Sequence, residues 1–175
     1  MTESRHAIGW KTGLGLMGIA ALIYYFGISG RSVSQDQAPS PAPNFSFPNI
    51  EGQIISLSDF RGKVVLLDFW ATWCEPCQEE LPELVSLYGH YRNRGFTIIG
   101  VSMDAMGHKA VAPYVRKNKV PYPILVSGGV TPAGYLVPGF PTAFLIDGNG
   151  LIVRRYLGPK FYRELAKDIE DILVH

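Results

Sequence analysis

The chain has 175 residues, enough for one domain with a real core and too few for two ordinary ones. Apolar residues make up 47% and charged residues 18%, which excludes a disordered tail, and a net charge of +1, with thirteen charges of each sign from Pro41 onward, excludes a strongly basic nucleic-acid binder. The two cysteines, Cys74 and Cys77, are too few for a multi-disulfide scaffold or a four-thiolate zinc site.

The nineteen residues 12–30, TGLGLMGIAALIYYFGISG, carry no formal charge. As a helix they would reach ~28 Å, close to the ~30 Å hydrocarbon core of a bilayer. Arg5 and Lys11 precede them with Glu3 the single acid, a bias that keeps the N-terminus in the cytoplasm and exports the rest. Tyr24, Tyr25 and Phe26 suit the aromatic belt at the far interface. Ser32-Val33-Ser34 also offers a small-x-small cleavage site. The apolar run is longer than the ~7–15-residue core of a signal peptide, so a retained anchor is the expectation, and either reading exports the same domain. Gly13-x-Gly15-x-x-Gly18 spells a dinucleotide-binding pattern, but no strand precedes it and it lies inside the apolar run. The expected organisation is a cytoplasmic stub and membrane anchor over 1–30, a Pro-rich tether over 31–44 and a globular domain over 45–175.

Within the domain, Phe45–Phe47 and Ile54–Leu57 around Asn49–Gly52 predict a short hairpin. Val64–Phe69 reads as a strand buried on both faces. A helix is expected from about Pro76 to Tyr91, with Leu81, Leu84, Val85 and Tyr88 on its inner face. Phe96–Val101 is the next buried strand, and Lys109–Asn118 a helix in which Pro113 places a break or a late start. Tyr122–Val126 reads as a strand and Thr131–Tyr135 as a short helical turn. Thr142–Ile146 and Leu151–Tyr156 flank Asp147-Gly148-Asn149-Gly150, a hairpin signal, and Phe161–Val174 closes the chain as an amphipathic helix. Strands alternating with helices, then a terminal hairpin and helix, imply an α/β layer fold with a mixed sheet.

The chemistry is concentrated in Trp73-Cys74-Glu75-Pro76-Cys77. A buried strand followed at once by Cys-x-x-Cys puts both thiols in the first turn of the next helix, where unpaired N–H groups and the macrodipole stabilise a thiolate. Cys74 is expected exposed and Cys77 one turn deeper, with Pro76 at a first-turn position that needs no N–H. Cys74 would attack a target disulfide, and Cys77 would then attack Cys74, releasing the reduced target. The deeper thiol needs a proton acceptor. Asp68, an acid in an apolar strand, and Glu80, three residues after Cys77, are the candidates; the alternatives are a water-facing strand acid and a solvated helix residue. Glu75 between the thiols disfavours the Cys74 thiolate and so favours the disulfide, making the couple more reducing. A zinc site lacks a second pair, since His6, His90, His108 and His175 show no ligand spacing around the cysteines. Copper carriage by the two thiols fits the rigid Pro insert less well than exchange does. Trp70, Trp73 and Phe140 serve either packing or recognition.

Lys63–Cys77, KVVLLDFWATWCEPC, resembles the active-site segment of thioredoxin-fold proteins. Together with QIISLSDFRGK, Cys77-x-x-Glu80-x-Pro82, FTIIGVSMD and GFPTAFLIDGNG, it resembles the membrane-anchored thiol-disulfide oxidoreductases of the TlpA/ResA type over Phe45–Val174. The resemblance implies a thioredoxin-like fold with an inserted strand–helix unit near residues 101–126. It implies Cys74 as nucleophile, Cys77 as resolving thiol and Phe140-Pro141-Thr142 as a cis-proline segment that pairs with substrate backbone. Trp73, Glu75 and Pro76 then border the substrate. Glu80 matches the buried glutamate of ResA-like proteins, whereas Asp68 matches the buried acid of ordinary thioredoxins, where ResA-like proteins often carry an amide; this chain has both. The resemblance further implies a single-pass protein of the bacterial cytoplasmic membrane with its domain on the extracytoplasmic side. Its substrates would be protein disulfides, apocytochrome c among them, its electrons would come from a transmembrane thiol carrier, and its redox group would be the Cys74–Cys77 disulfide without a further cofactor. A disulfide oxidase or isomerase of the same fold is the rival. A peroxiredoxin would need Pro and Thr or Ser where this chain has Leu67 and Ala71.

Overall fold

Alternation along one strand organises the whole domain. In the computed structural model, which describes residues 38–173, Val64–Trp70 forms β4, and its side chains divide between two cores by parity. Val64, Leu66 and Trp70 enter one apolar cluster, and Val65, Leu67 and Phe69 the other. Asp68 shares the parity of the first set and is therefore driven into the interior.

Among the described residues, β1 (Ser40–Pro41), β4, β5 (Phe96–Ser102), β6 (Ile124–Val126), β7 (Thr142–Ile146) and β8 (Leu151–Leu157) form one mixed sheet in the order β1-β8-β7-β4-β5-β6. β4, β5 and β6 are parallel, and β7 runs antiparallel to β4. The two parallel crossovers carry α1 (Glu75–Tyr91) and α2 (His108–Lys117), and α3 (Tyr162–Leu173) follows the β7–β8 hairpin. Buried residues of all three helices, such as Leu87, Val111 and Leu165, join the first cluster. The second cluster is closed by Ala42, Phe45, Leu57 and Tyr135, next to the hairpin of β2 (Ser46–Pro48) and β3 (Ile54–Ser56).

The expected α/β architecture, the hairpins and the three helices are present, with local corrections. Ser40 and Pro41 pair with Ile152 and Leu151, so the sheet takes up the end of the stretch expected as tether. An edge strand tolerates the missing proline N–H, and Ala42 buries beside it. α1 buries Cys77, Glu80, Leu84, Leu87 and Tyr91, while Leu81, Val85 and Tyr88 flank this stripe half-buried. The expected face counted only apolar residues and therefore missed a stripe that includes a carboxyl. Pro113 does not break α2; it sits on the exposed face, where the carbonyl it leaves unpaired can meet water. β6 begins at Ile124 rather than Tyr122. Thr131–Tyr135 forms no helix but a turn, with Gly134 in the left-handed region at φ 87° and Tyr135 N–H donating to the Pro132 carbonyl. The hairpin turn is held as expected, Asp147 Oδ1 accepting the N–H groups of Asn149 and Leu151 at 3.0 and 2.8 Å.

The proposed anchor over 12–30, the glycine pattern within it and residues 31–37 of the tether lie outside the described residues. Among the described residues no helix is long and apolar enough to cross a membrane.

Candidate active site

β4 delivers the chain to the mouth of the site, and Cys74 caps α1, its Sγ accepting the Cys77 N–H at 3.3 Å. The two cysteines form a disulfide. Pro76 lies in the first helical turn and Glu75 is exposed, both as expected. Cys74 is not exposed: at 5% it is as buried as Cys77. Its sulfur turns back over the helix terminus and is bonded to its partner, which removes it from water.

The loop leading to Cys74 is clamped by a residue that sequence reasoning missed. Asp104, immediately after Met103 at the end of β5, is 3% exposed. It accepts the Thr72 N–H at 3.1 Å, the Thr72 hydroxyl, and the Ser102 hydroxyl at 2.7 Å. Gln78 of α1 donates to the Thr72 carbonyl at 2.7 Å, closing the loop onto the helix. The signal available in the sequence was an acid directly after a buried strand.

Behind the disulfide lies a second buried acidic group. Asp68 and Glu80 are each 3% exposed, so neither is the solvated residue that its alternative would make it. The structure brings them together around Lys160, which is 2% exposed and which sequence reasoning also missed. Lys160 Nζ donates to Asp68 Oδ1 at 3.4 Å and lies 3.6 Å from Glu80 Oε1. The Lys160 backbone N–H donates to Glu80 Oε2 at 2.9 Å, and Glu80 Oε1 has no hydrogen-bond partner. Burial pushes the Asp68 carboxyl above the ordinary aspartate range, against the attraction of Lys160. Burial, and then the Asp68 charge, push Glu80 up to about 8, again opposed by Lys160. Nothing local marks Lys160 in the sequence, because a lysine in a Gly-Pro-Lys turn ordinarily faces water.

The third element is the Phe140–Pro141 peptide, which is cis. Thr142 pairs with Phe69 across the sheet, which brings Pro141 to the end of β4 from which the cysteine loop departs. The Gly158 N–H donates to the Pro141 carbonyl at 2.9 Å, tying this segment to the turn that carries Lys160. Pro138–Thr142, Leu157 and Gly158 line an open groove of about 240 Å³. Trp73, 66% exposed, meets Phe140 edge-on at 5.8 Å between ring centroids. Trp70, by contrast, is buried against Tyr114 and serves packing. A Cβ at Gly100 would meet Ile124 Cδ1 at 2.5 Å and this indole's Nε1 at 3.0 Å, so glycine there leaves room for both side chains against β5.

Among the described residues no cluster of His, Cys, Asp and Glu is placed to hold a metal ion. The arrangement provides a disulfide pair, two buried carboxyls sharing one lysine and an apolar rim.

Residues 39–155 match the AhpC/TSA family. The chain is 36% identical over 137 residues to the thiol-disulfide oxidoreductase ResA of a Bacillus cereus strain, covering 78% of this chain and 79% of that protein. It is 35% identical over 153 residues to ResA of Bacillus subtilis, covering 85% and 83%. Among solved structures, a putative thiol:disulfide interchange protein DsbE from Chlorobium tepidum superposes with a TM-score of 0.73 at 32% identity, covering 78% of this chain and 98% of that one.

Proposed function

Since the chain belongs to the thioredoxin-like AhpC/TSA family and is a thiol-disulfide oxidoreductase of the ResA/DsbE type, we propose that it reduces disulfides of proteins on the extracytoplasmic side of a bacterial membrane. Residues 12–30 would hold it there and the stretch up to Ser40 would tether it. The resemblance to TlpA/ResA proteins supports apocytochrome c as a substrate and a transmembrane thiol carrier as the electron source.

The observation that carries the reading is the redox pair at the helix terminus backed by buried carboxylates. Cys74 thiolate attacks a substrate sulfur, forming a mixed disulfide and expelling the other substrate sulfur as a thiolate. Cys77 gives up its proton and attacks Cys74 Sγ, the bond to substrate breaks, and two electrons leave with the second substrate sulfur. The Cys74–Cys77 disulfide is the redox group, and the proposal includes no other cofactor. Trp73, Phe140 and the groove beside Pro141 would seat the polypeptide flanking the target disulfide, with Glu75 and Pro76 at its border.

Equilibration of the 38–175 fragment against thiol buffers tests the direction. A reduction potential near or below the ~−270 mV of thioredoxin supports a reductase fed by a membrane donor. One near the ~−120 mV of a strong periplasmic oxidant reverses the direction and makes the protein a disulfide donor. Stoichiometric Cu(I) binding without exchange would contradict both.

A further inference from the structure

We propose that Lys160 is a positioning residue that divides the two buried carboxylates: its ammonium holds Asp68 as a counter-ion, and its backbone N–H holds Glu80 by one oxygen, leaving Glu80 Oε1 as the atom that exchanges a proton with Cys77. The inference rests on the exchange chemistry proposed above and settles which acid serves it.

The geometry is asymmetric in three respects. Lys160 Nζ is paired with both acids, but it stands closer to Asp68 Oδ1, at 3.4 Å and within hydrogen-bond reach, than to Glu80 Oε1, at 3.6 Å. The N–H that anchors Glu80 Oε2 belongs to the backbone, which cannot lose its proton and cannot rotate away. Glu80 Oε1 is then a buried oxygen whose nearest cation, the Lys160 ammonium, stands at 3.6 Å, beyond hydrogen-bond reach, and such an oxygen is relieved by binding a proton. Glu80 and Cys77 sit three residues apart on the buried stripe of α1, whereas Asp68 reaches the same space from β4, paired with Lys160 at 3.4 Å.

Charge balance assigns the protonation state. Two ionised carboxylates beside one ammonium would leave a buried net negative charge, so the cluster is neutral with one carboxyl protonated. The shorter approach of Lys160 to Asp68 favours Asp68 as the ionised member and Glu80 as the one that takes the proton. The other titratable groups around it do not compete. Tyr122 packs into the adjoining apolar core, where burial keeps its hydroxyl protonated, and Glu83, half-buried, accepts the Tyr162 N–H at 3.2 Å. When a donor thiolate attacks Cys74 Sγ, the Cys74–Cys77 bond breaks, Cys77 leaves as a thiolate and takes the Glu80 proton. When Cys77 later resolves a mixed disulfide, the proton returns to Glu80 Oε1.

The test follows the carboxyl carbons of Asp68 and Glu80 by NMR through a pH titration of the disulfide form, a readout that needs no exchange activity. In the wild-type protein Glu80 is expected to carry the titration near its value of about 8. Lys160→Met removes the counter-ion and should move the Glu80 titration up by more than ~1 pH unit. Asp68→Asn removes the repelling charge and should move it down. Asp68→Asn with Lys160→Met removes the pair as a whole and should return it close to wild type. Should Lys160→Met alone fail to fold, the direction in Asp68→Asn and the return in the double variant decide. A Glu80 titration that neither change moves, or a neutral-range proton carried by Asp68 while Glu80 stays ionised, overturns the assignment. The acid limb of the exchange rate should shift with the titration; an enzyme without exchange would remove the proposed function and leave the titration standing.

Discussion

Asp68 and Asp104 are both aspartates 3% exposed, one in β4 and one just past β5, and they stand on opposite sides of the cysteine loop in what they do. Asp104 is saturated by neutral donors: a backbone N–H and two hydroxyls converge on its carboxylate. Asp68 has a single long bond to Lys160 and shares that lysine with a second carboxyl, Glu80. A buried acid with a full set of donors fixes geometry; one that shares a lysine with another acid has its proton affinity raised by burial and by its neighbour's charge. The loop in front of the disulfide is therefore clamped, and on the proposed reading the cluster behind it is a proton site.

The largest effect separating the two should come from Glu80→Gln. It keeps the size and the acceptor for the Lys160 N–H but removes the proton exchange, so the rate at neutral pH should fall ~100-fold or more while the fold is retained. Stopped-flow exchange with a model disulfide measures this; a rate within a few-fold of wild type would dissolve the distinction. Asp104→Ala should act the other way. It strands the Thr72 N–H and the Ser102 hydroxyl and should cost ~1–3 kcal/mol in denaturant unfolding, with the pH profile of exchange unmoved. A displaced profile would make Asp104 part of the proton site.

Stability against pH sharpens the contrast further. Folding raises Glu80 from 4.5 to about 8, so the folded state binds this proton more tightly. The stabilisation is complete below pH 4.5 and is lost as the pH rises through about 8. Unfolding free energy should therefore decline across that window in the wild type and in Asp104→Asn, and the decline should flatten in Glu80→Gln. The smallest effect belongs to the exposed charge at the mouth. Glu75→His should raise the reduction potential by on the order of 30 mV, and an unchanged potential would remove Glu75 from the account.

How much of this was legible follows the same physics. Period-two alternation in Val64–Trp70, the Cys-x-x-Cys at the following helix terminus, and Glu80 three residues on are local patterns, and each is found in the structure where the sequence places it. The cis Phe140–Pro141 peptide was implied by resemblance alone, because nothing in Phe-Pro-Thr distinguishes cis from trans. Lys160 was invisible: its burial depends on the β7–β8 hairpin returning beside β4, which no local window contains. Asp104 was readable only as an acid after a strand, and its role depends on Thr72, thirty-two positions away. The depth of Cys74 was misjudged for a related reason, since a cap residue that bonds its own helix is covered by it.

The account centres on Cys74 as the sulfur that attacks and Cys77 as the one that resolves. The most direct measurement is mass spectrometry of Cys77→Ser and Cys74→Ser, each reduced and mixed with a peptide disulfide. The account predicts a stable mixed disulfide at Cys74 in Cys77→Ser and no adduct of comparable yield in Cys74→Ser. An adduct at Cys77 in Cys74→Ser, with none in Cys77→Ser, would contradict the order of attack and, with it, the role of the buried carboxylates behind the disulfide.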